Sequence, residues 1–220
     1  MRILTIASQK GGAGKTTLAA HFAVAAEGTG ADPVAVVDTD PQGSLAAWGN
    51  SREAPTPLFA SVDIARLPNH LRTLQRRRVE LVVIDTPPAL TEMIQAAIAV
   101  ADLVLIPARP SPHDLRAVGV IVEMAEASGK PFCFIVNDAT PRTTIALEAV
   151  RALAQHGKVA PVSLHHYQRP MLPLPAQYRG AEPPAPGREA VSLADLQKRY
   201  WWQPMPRLAR RKPCTFRRFH

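Results

Sequence analysis

Lys10-Gly11-Gly12-Ala13-Gly14-Lys15-Thr16-Thr17 follows the apolar run Ile3–Ala7 and opens a segment of helical period, Thr16–Glu27. A glycine loop between a first strand and a first helix lies where an open parallel sheet binds its ligand, at the carboxyl end of a strand. Glycines let the backbone curl so that successive N–H groups face inward, and the following helix adds its positive N-terminal end. Such a cradle fits phosphate. Lys15 is expected along the β- and γ-phosphates, the Thr16 hydroxyl on a magnesium ion, and Thr17 at the α-phosphate. Gly11, Gly12, Ala13 and Gly14 line the cradle. Against the general pattern G-x-x-x-x-G-K-[ST], Gln9 stands at the first glycine position and a second lysine, Lys10, follows it.

Outward from the loop, strand-like runs alternate with helix-period segments. The strands expected are Ile3–Ala7, Val34–Asp38, Leu81–Asp85, Leu103–Pro107, Phe132–Asn137 and Val159–Ser163. Thr16–Glu27, Ile64–Arg76, Glu92–Val100, Asp114–Ser128 and Thr144–His156 read as helices. Short runs rich in Val and Ile, nearly free of polar residues, suit strands covered on both faces. The fold class is therefore α/β, a doubly wound and mostly parallel sheet of the P-loop NTPase type.

Three carboxylates, Asp38, Asp40 and Asp85, end or follow apolar strands, which puts them on the edge that holds the loop. Each is read either as an ordinary strand-end cap or as part of metal and water management, because Mg²⁺ takes one or two carboxylates plus water. Asn137 at another strand end offers an amide that can pair with an adenine edge or form a turn. Lys10, taken alone, is either a phosphate-directed cation or a solvated loop lysine.

With Lys10 included, the loop resembles the deviant Walker A motif KGGxGK[ST] of the ParA/MinD family of P-loop ATPases. Val37-Asp38-Thr39-Asp40-Pro41-Gln42-Gly43 is similar to that family's DxDPQ segment, Val83-Ile84-Asp85-Thr86-Pro87-Pro88 to its Walker B strand, and Ile135-Val136-Asn137 to its adenine-contacting strand end. The resemblance covers roughly residues 1–165, and Pro141-Arg142-Thr143 places it nearest the short ParA-type DNA-partition ATPases. It implies ATP and Mg²⁺ as cofactors and a nucleotide-sandwich homodimer in which Lys10 reaches the partner's phosphates. It further implies that Asp38 orients the attacking water, that Asp40 sits in a switch near the metal, that Asp85 holds Mg²⁺ through water, and that Asn137 meets adenine. The roles of Asp38 and Asp40 are exchangeable at this level.

Composition bounds the rest. At 220 residues, 46% apolar and 20% charged, the chain suits one globular α/β unit. No stretch approaches the roughly 18 apolar residues of a membrane span. Met1–Ser8 flows into the loop without a cleavage site, so a cytoplasmic protein is expected. Cys133 and Cys214 are too few for a disulfide framework or an inter-subunit cluster, and His113, His156, His165 and His166 lack metal spacing. The net charge of +8 sits entirely after residue 168, where eleven basic residues face three acidic ones; the first 168 residues carry fifteen of each. That terminal stretch, dense in proline and arginine, reads as an irregular tail over residues 166–220 beyond an ATPase domain of residues 1–165. It is either a fused basic arm or the product of a reading-frame shift.

Three functions compete. The first is a partition or cargo-positioning switch that dimerises on ATP, binds DNA non-specifically in the nucleoid, and is released when a ParB-like adaptor stimulates hydrolysis. The second, a MinD-like membrane switch, needs a terminal amphipathic helix that the Pro-rich tail does not offer, so no membrane partner is expected. The third is a metabolic ATP-dependent enzyme on the same fold. For the first, Arg76-Arg77-Arg78 and the basic residues of the tail are the available surfaces.

Overall fold

The computed structural model describes residues 1–89 and 91–165; the tail expected over 166–220 lies outside the described residues. Seven strands form one sheet: β1 (Arg2–Ile6), β2 (Val34–Asp38), β3 (Leu58–Ser61), β4 (Leu81–Asp85), β5 (Leu103–Ala108), β6 (Phe132–Ala139) and β7 (Val159–His165). They lie in the order β3-β2-β4-β1-β5-β6-β7, every neighbouring pair parallel. The helices are α1 (Lys15–Gly28), α2 (Ser44–Asn50), α3 (Leu67–Arg76), α4 (Thr91–Ala99), α5 (Pro112–Ala127) and α6 (Thr144–Ala154).

β1 is followed in sequence by a strand to one side and flanked on the other by β5, so the chain reverses its winding beside the glycine loop. Crossovers in the two directions leave helices on opposite faces, because parallel crossovers are right-handed. On one face α1 buries Leu18, Ala19, Ala23 and Ala26 against Leu4, Ile6, Val34, Val36 and Val83. On the other, α3 contributes Leu67, Leu71 and Leu74, and α4 with α5 contribute Ile94, Ile98, Ile121 and Val122. The alanines of α1 let it sit close to the sheet and hold the loop that precedes it. β2 and β4 are buried along their whole length, which is why their sequences lack alternation.

Two elements escape the sequence pattern. α2 has seven residues, contains Gly49 and follows the turn at Asp40–Gly43. β3 is a four-residue edge strand, mostly half-exposed, just after Pro57. The expected helix Ile64–Arg76 divides at its start. A 3-10 turn at Ile64–Arg66, capped by Asp63 accepting from Ala65 N, precedes α3, and Pro68 sits in the first turn of that helix. Among the described residues no helix is long and apolar enough to cross a membrane.

Candidate nucleotide site

β1 ends at Ile6, and the backbone turns through Gly12 (φ 74°) and Gly14 (φ 86°) before α1 begins at Lys15. Both angles are left-handed, which only glycine adopts cheaply. Gly14 has a second reason to be glycine: a Cβ there would overlap the Asn137 amide nitrogen. That nitrogen donates to the Ala13 carbonyl at 2.9 Å, so the end of β6 clamps the loop. Asn137 therefore has one amide hydrogen bond spent on the loop and its carbonyl oxygen left for another group.

Lys15 is 6% exposed, and its Nζ donates to the Lys10 carbonyl at 3.2 Å. Burial lowers the pKa of its ammonium, and the carboxylates of Asp85 and Asp40 oppose that effect. The register explains how these groups meet. Asp85 lies opposite Ile6 on one side and Asp38 on the other, so three strand ends stop level at the loop. Thr39 fastens the junction, with Oγ1 donating to the Asp85 carbonyl at 2.6 Å, and Thr86 Oγ1 donates to the Ile6 carbonyl at 2.9 Å.

The two inner carboxylates are each 1% exposed. Asp38 Oδ1 accepts from Asp40 N at 2.9 Å, and Leu45 and Ala46 N–H groups at the start of α2 also favour the ionised form, yet burial raises its pKa overall. Asp85 is pushed up to about 7 by burial and by Asp38 and Asp40, against a hydrogen bond from Thr16 and the charge of Lys15. Asp38 Oδ2 and Asp85 Oδ1 are buried with no hydrogen-bond partner among the described residues. Buried acceptors left unpaired are costly and call for a cation or donor. Asp40 is half-buried and spends Oδ1 on Gln42 N at 2.9 Å. Thr16 is half-buried and Thr17 exposed in the first turn of α1. A glycine cradle, one buried lysine, a threonine hydroxyl and two orphaned carboxylate oxygens fit a Mg²⁺-bearing nucleotide. Among the described residues no group of three or more His, Cys, Asp or Glu side chains is placed to hold a metal ion by itself.

Lys10 finds a partner that its sequence neighbourhood does not supply. Its Nζ stands 2.7 Å from Asp114 Oδ2, a carboxylate 5% exposed in the first turn of α5. Ser111, the N-cap of α5, donates its hydroxyl to the same Asp114 oxygen and accepts from Asp114 N at 3.2 Å. Arg109, just past the end of β5, is a second charged group that the motifs do not single out. One of its terminal nitrogens lies 3.3 Å from where a Gly12 Cβ would stand, and its Nε is 3.2 Å from Asp138 Oδ2. Asp138 itself is left-handed (φ 58°). Both residues have signals: Arg109 is a charged strand end like Asp38, and Ser111-Pro112-His113-Asp114 matches the capping pattern [ST]-x-x-[DE].

Residues 4–162 match the family described as the CobQ/CobB/MinD/ParA nucleotide binding domain. The chain belongs to this family. It is 35% identical over 133 residues to Protein ParA of Rhizobium radiobacter, a match covering 58% of this chain and 59% of that protein. Thus it spans about three-fifths of that relative's length. It is also 35% identical over 162 residues to the maintenance of carboxysome distribution protein A of Gloeobacter kilaueensis, covering 71% and 72% of the two chains. The fold matches that of apo McdA from Cyanothece, with a TM-score of 0.62 at 20% identity over 76% of this chain and 87% of that one. McdA has also been solved as an ATP complex. As a ParA/MinD-family chain it has relatives in partition and in carboxysome positioning.

The Asp85 shift gives a pH signature. In the folded chain Asp85 keeps a proton between about pH 4 and pH 7 that the unfolded chain has released. Its burial therefore takes stability away as pH rises through that window, with the full loss above 7. A divalent cation favours the ionised form, so Mg²⁺-nucleotide stabilisation should grow over the same interval. Melting temperatures of the protein alone should fall from pH 5 to 7.5, and Asp85→Asn should flatten the slope. A slope unchanged in that variant would assign the titration elsewhere.

Proposed function

We propose that the chain is a Mg²⁺-dependent ATPase switch that dimerises on ATP, binds DNA without sequence preference in that state, and is released when an adaptor of the ParB kind stimulates hydrolysis. The observation that carries this reading is the two-lysine loop: Lys15 is buried within it, whereas the Lys10 side chain is 39% exposed and held by Asp114. A buried lysine serves the chain's own nucleotide. An exposed one on the same loop can serve a second nucleotide, supplied by a partner copy, in the manner of an arginine finger.

When bound, Mg²⁺ would supply Lewis-acid stabilisation of the phosphate charge. Thr16 and Asp85 would hold it, with Asp40 alongside. Asp38, fixed by α2 and by Asp40 N, turns its unpaired Oδ2 to the attacking water. The glycine loop Gly11–Gly14 and the first turn at Lys15, Thr16 and Thr17 bind the phosphates, and Asn137 offers its carbonyl oxygen to the base. As a switch the protein would partition between cytoplasm and nucleoid and position a plasmid, chromosome or protein assembly, in line with relatives named for chromosome partitioning, plasmid partitioning and carboxysome distribution. Residues 1–165 form the ATPase unit in this reading.

A titration of random-sequence duplex DNA with ATP, with ADP and at several salt concentrations tests it. Binding should require ATP and weaken steeply with salt. Absence of DNA binding alongside normal ATP turnover would instead favour a metabolic enzyme, and vesicle binding in place of DNA binding would favour a membrane switch.

A further inference from the structure

We infer that the outward face of α3 is a docking strip for DNA phosphates, on which Arg72, Arg76, Arg77 and Arg78 bear the backbone of a bound duplex. This rests on the DNA-binding reading above and names its surface. The first 168 residues are balanced at fifteen bases and fifteen acids, so any attraction for DNA within the fold depends on how those charges are segregated. Between Ile64 and Val79 stand five arginines, Arg66, Arg72, Arg76, Arg77 and Arg78, and no aspartate or glutamate. All five are exposed.

The helix orients them. Leu67, Leu71 and Leu74 are buried on the inner side of α3, which fixes the opposite side outward. Arg72 and Arg76, one turn apart, lie on that side with Thr73 between them and Asn69 one turn before, and Arg76 donates to Thr73 Oγ1 at 3.3 Å. Arg77 and Arg78 continue the strip beyond the last turn. Cations at a helix C-terminus complement the helix dipole, which accounts for Arg76 and Arg77. It does not account for Arg66 at the N-cap of α3, for Arg72 in the middle of the helix, or for the absence of any acid along the run.

The chemistry selects nucleic acid over protein. Guanidinium forks and neutral hydrogen-bonding side chains are the groups that contact phosphates without reading bases. Protein interfaces also use arginine, but set it among large aromatic and apolar side chains at the centre of the patch. The exposed large apolar residues among those described are Met1, Val120, Ile145, Leu147 and Leu164, none of them on α3. The strip is also joined to the nucleotide site: Val62 N, just before the 3-10 turn that leads into α3, donates to the Asp38 carbonyl at 2.9 Å. Leu67 packs in one cluster with Val37 and Ile84, the residues before Asp38 and Asp85. A change at those carboxylates thus reaches α3 through one hydrogen bond and one packed layer.

The test uses the full chain with a non-hydrolysable ATP analogue and a labelled random-sequence duplex, followed by fluorescence anisotropy over a salt series. Each phosphate contact contributes a salt slope of about −0.9, so replacing Arg72, Arg76 and Arg77 together by alanine should cut the slope by about 2.7. Affinity at low salt should fall at least tenfold. Lysine at the same three positions should restore both, and basal ATP turnover should stay unchanged in every variant. If the unaltered protein binds DNA and the alanine variant keeps its slope and affinity, or if lysine fails to rescue, the strip is overturned while DNA binding stands. If the unaltered protein binds no DNA with the analogue, the functional reading beneath it fails.

Discussion

Replacing Lys15 with alanine should lower ATP affinity at least a hundredfold, about 2.7 kcal/mol, while leaving the sheet intact. The lysine is nearly inaccessible, and its charge is maintained against burial by Asp85 and Asp40. Nothing else buried in the loop carries positive charge, since Lys10 points to Asp114. The fold should survive because Asp85 has an alternative. Already pushed up to about 7, it would be pushed further without the neighbouring cation, and at neutral pH it would hold a proton rather than remain an uncompensated buried anion. A fluorescent ATP analogue reads the affinity, and a thermal melt at pH 7 verifies folding. A folded variant that binds ATP normally would remove Lys15 from the phosphate site.

That variant probes the part of the molecule most legible in the sequence. Glycines, lysine and threonine in order after an apolar run define a loop whose geometry depends on local backbone freedom, so Gly12 and Gly14 are readable without tertiary information. Asp38 and Asp85 were legible for a similar reason, because buried parallel strands announce their ends by the first polar residue. What escaped depends on contacts between segments far apart in the chain. Asn137 was expected at an adenine edge, but its hold on the Ala13 carbonyl arises only when β6 comes to lie near β1. The Lys10–Asp114 pair joins residues 104 apart, and no local pattern links them. β3 escaped because an edge strand lacks the uninterrupted apolar run of β2 and β4. Arg109 escaped although it follows a strand as Asp38 ends one, because the groups it meets, Gly12 and Asp138, come from other segments of the chain.

Lys10→Ala should reduce ATP turnover by about three orders of magnitude and hold the protein at 23.9 kDa in the presence of a non-hydrolysable analogue, where the unaltered chain should scatter as twice that mass. The Asp114 pair offers a competing, purely structural account, and magnitudes separate the two. Lys10 is 39% exposed although Asp114 is 5% exposed, so solvent reaches the pair from the lysine side and tempers its contribution to about 1 kcal/mol. Removing the lysine does not strand Asp114 either. The carboxylate keeps the Ser111 hydroxyl and the positive end of α5, both of which favour an anion at that place. A merely structural lysine would therefore cost a few degrees of melting temperature and leave turnover near normal. A cation acting across a dimer would do the reverse, losing turnover with little change in melting. Asp114→Asn supplies the complementary test, because it releases Lys10 without deleting it: dimerisation and turnover should persist or rise, with ATP needed at no higher concentration. If instead Lys10→Ala dimerises and hydrolyses normally, Lys10 belongs to the monomer alone, and the cation that completes the transferring phosphate's surroundings must come from elsewhere on the chain.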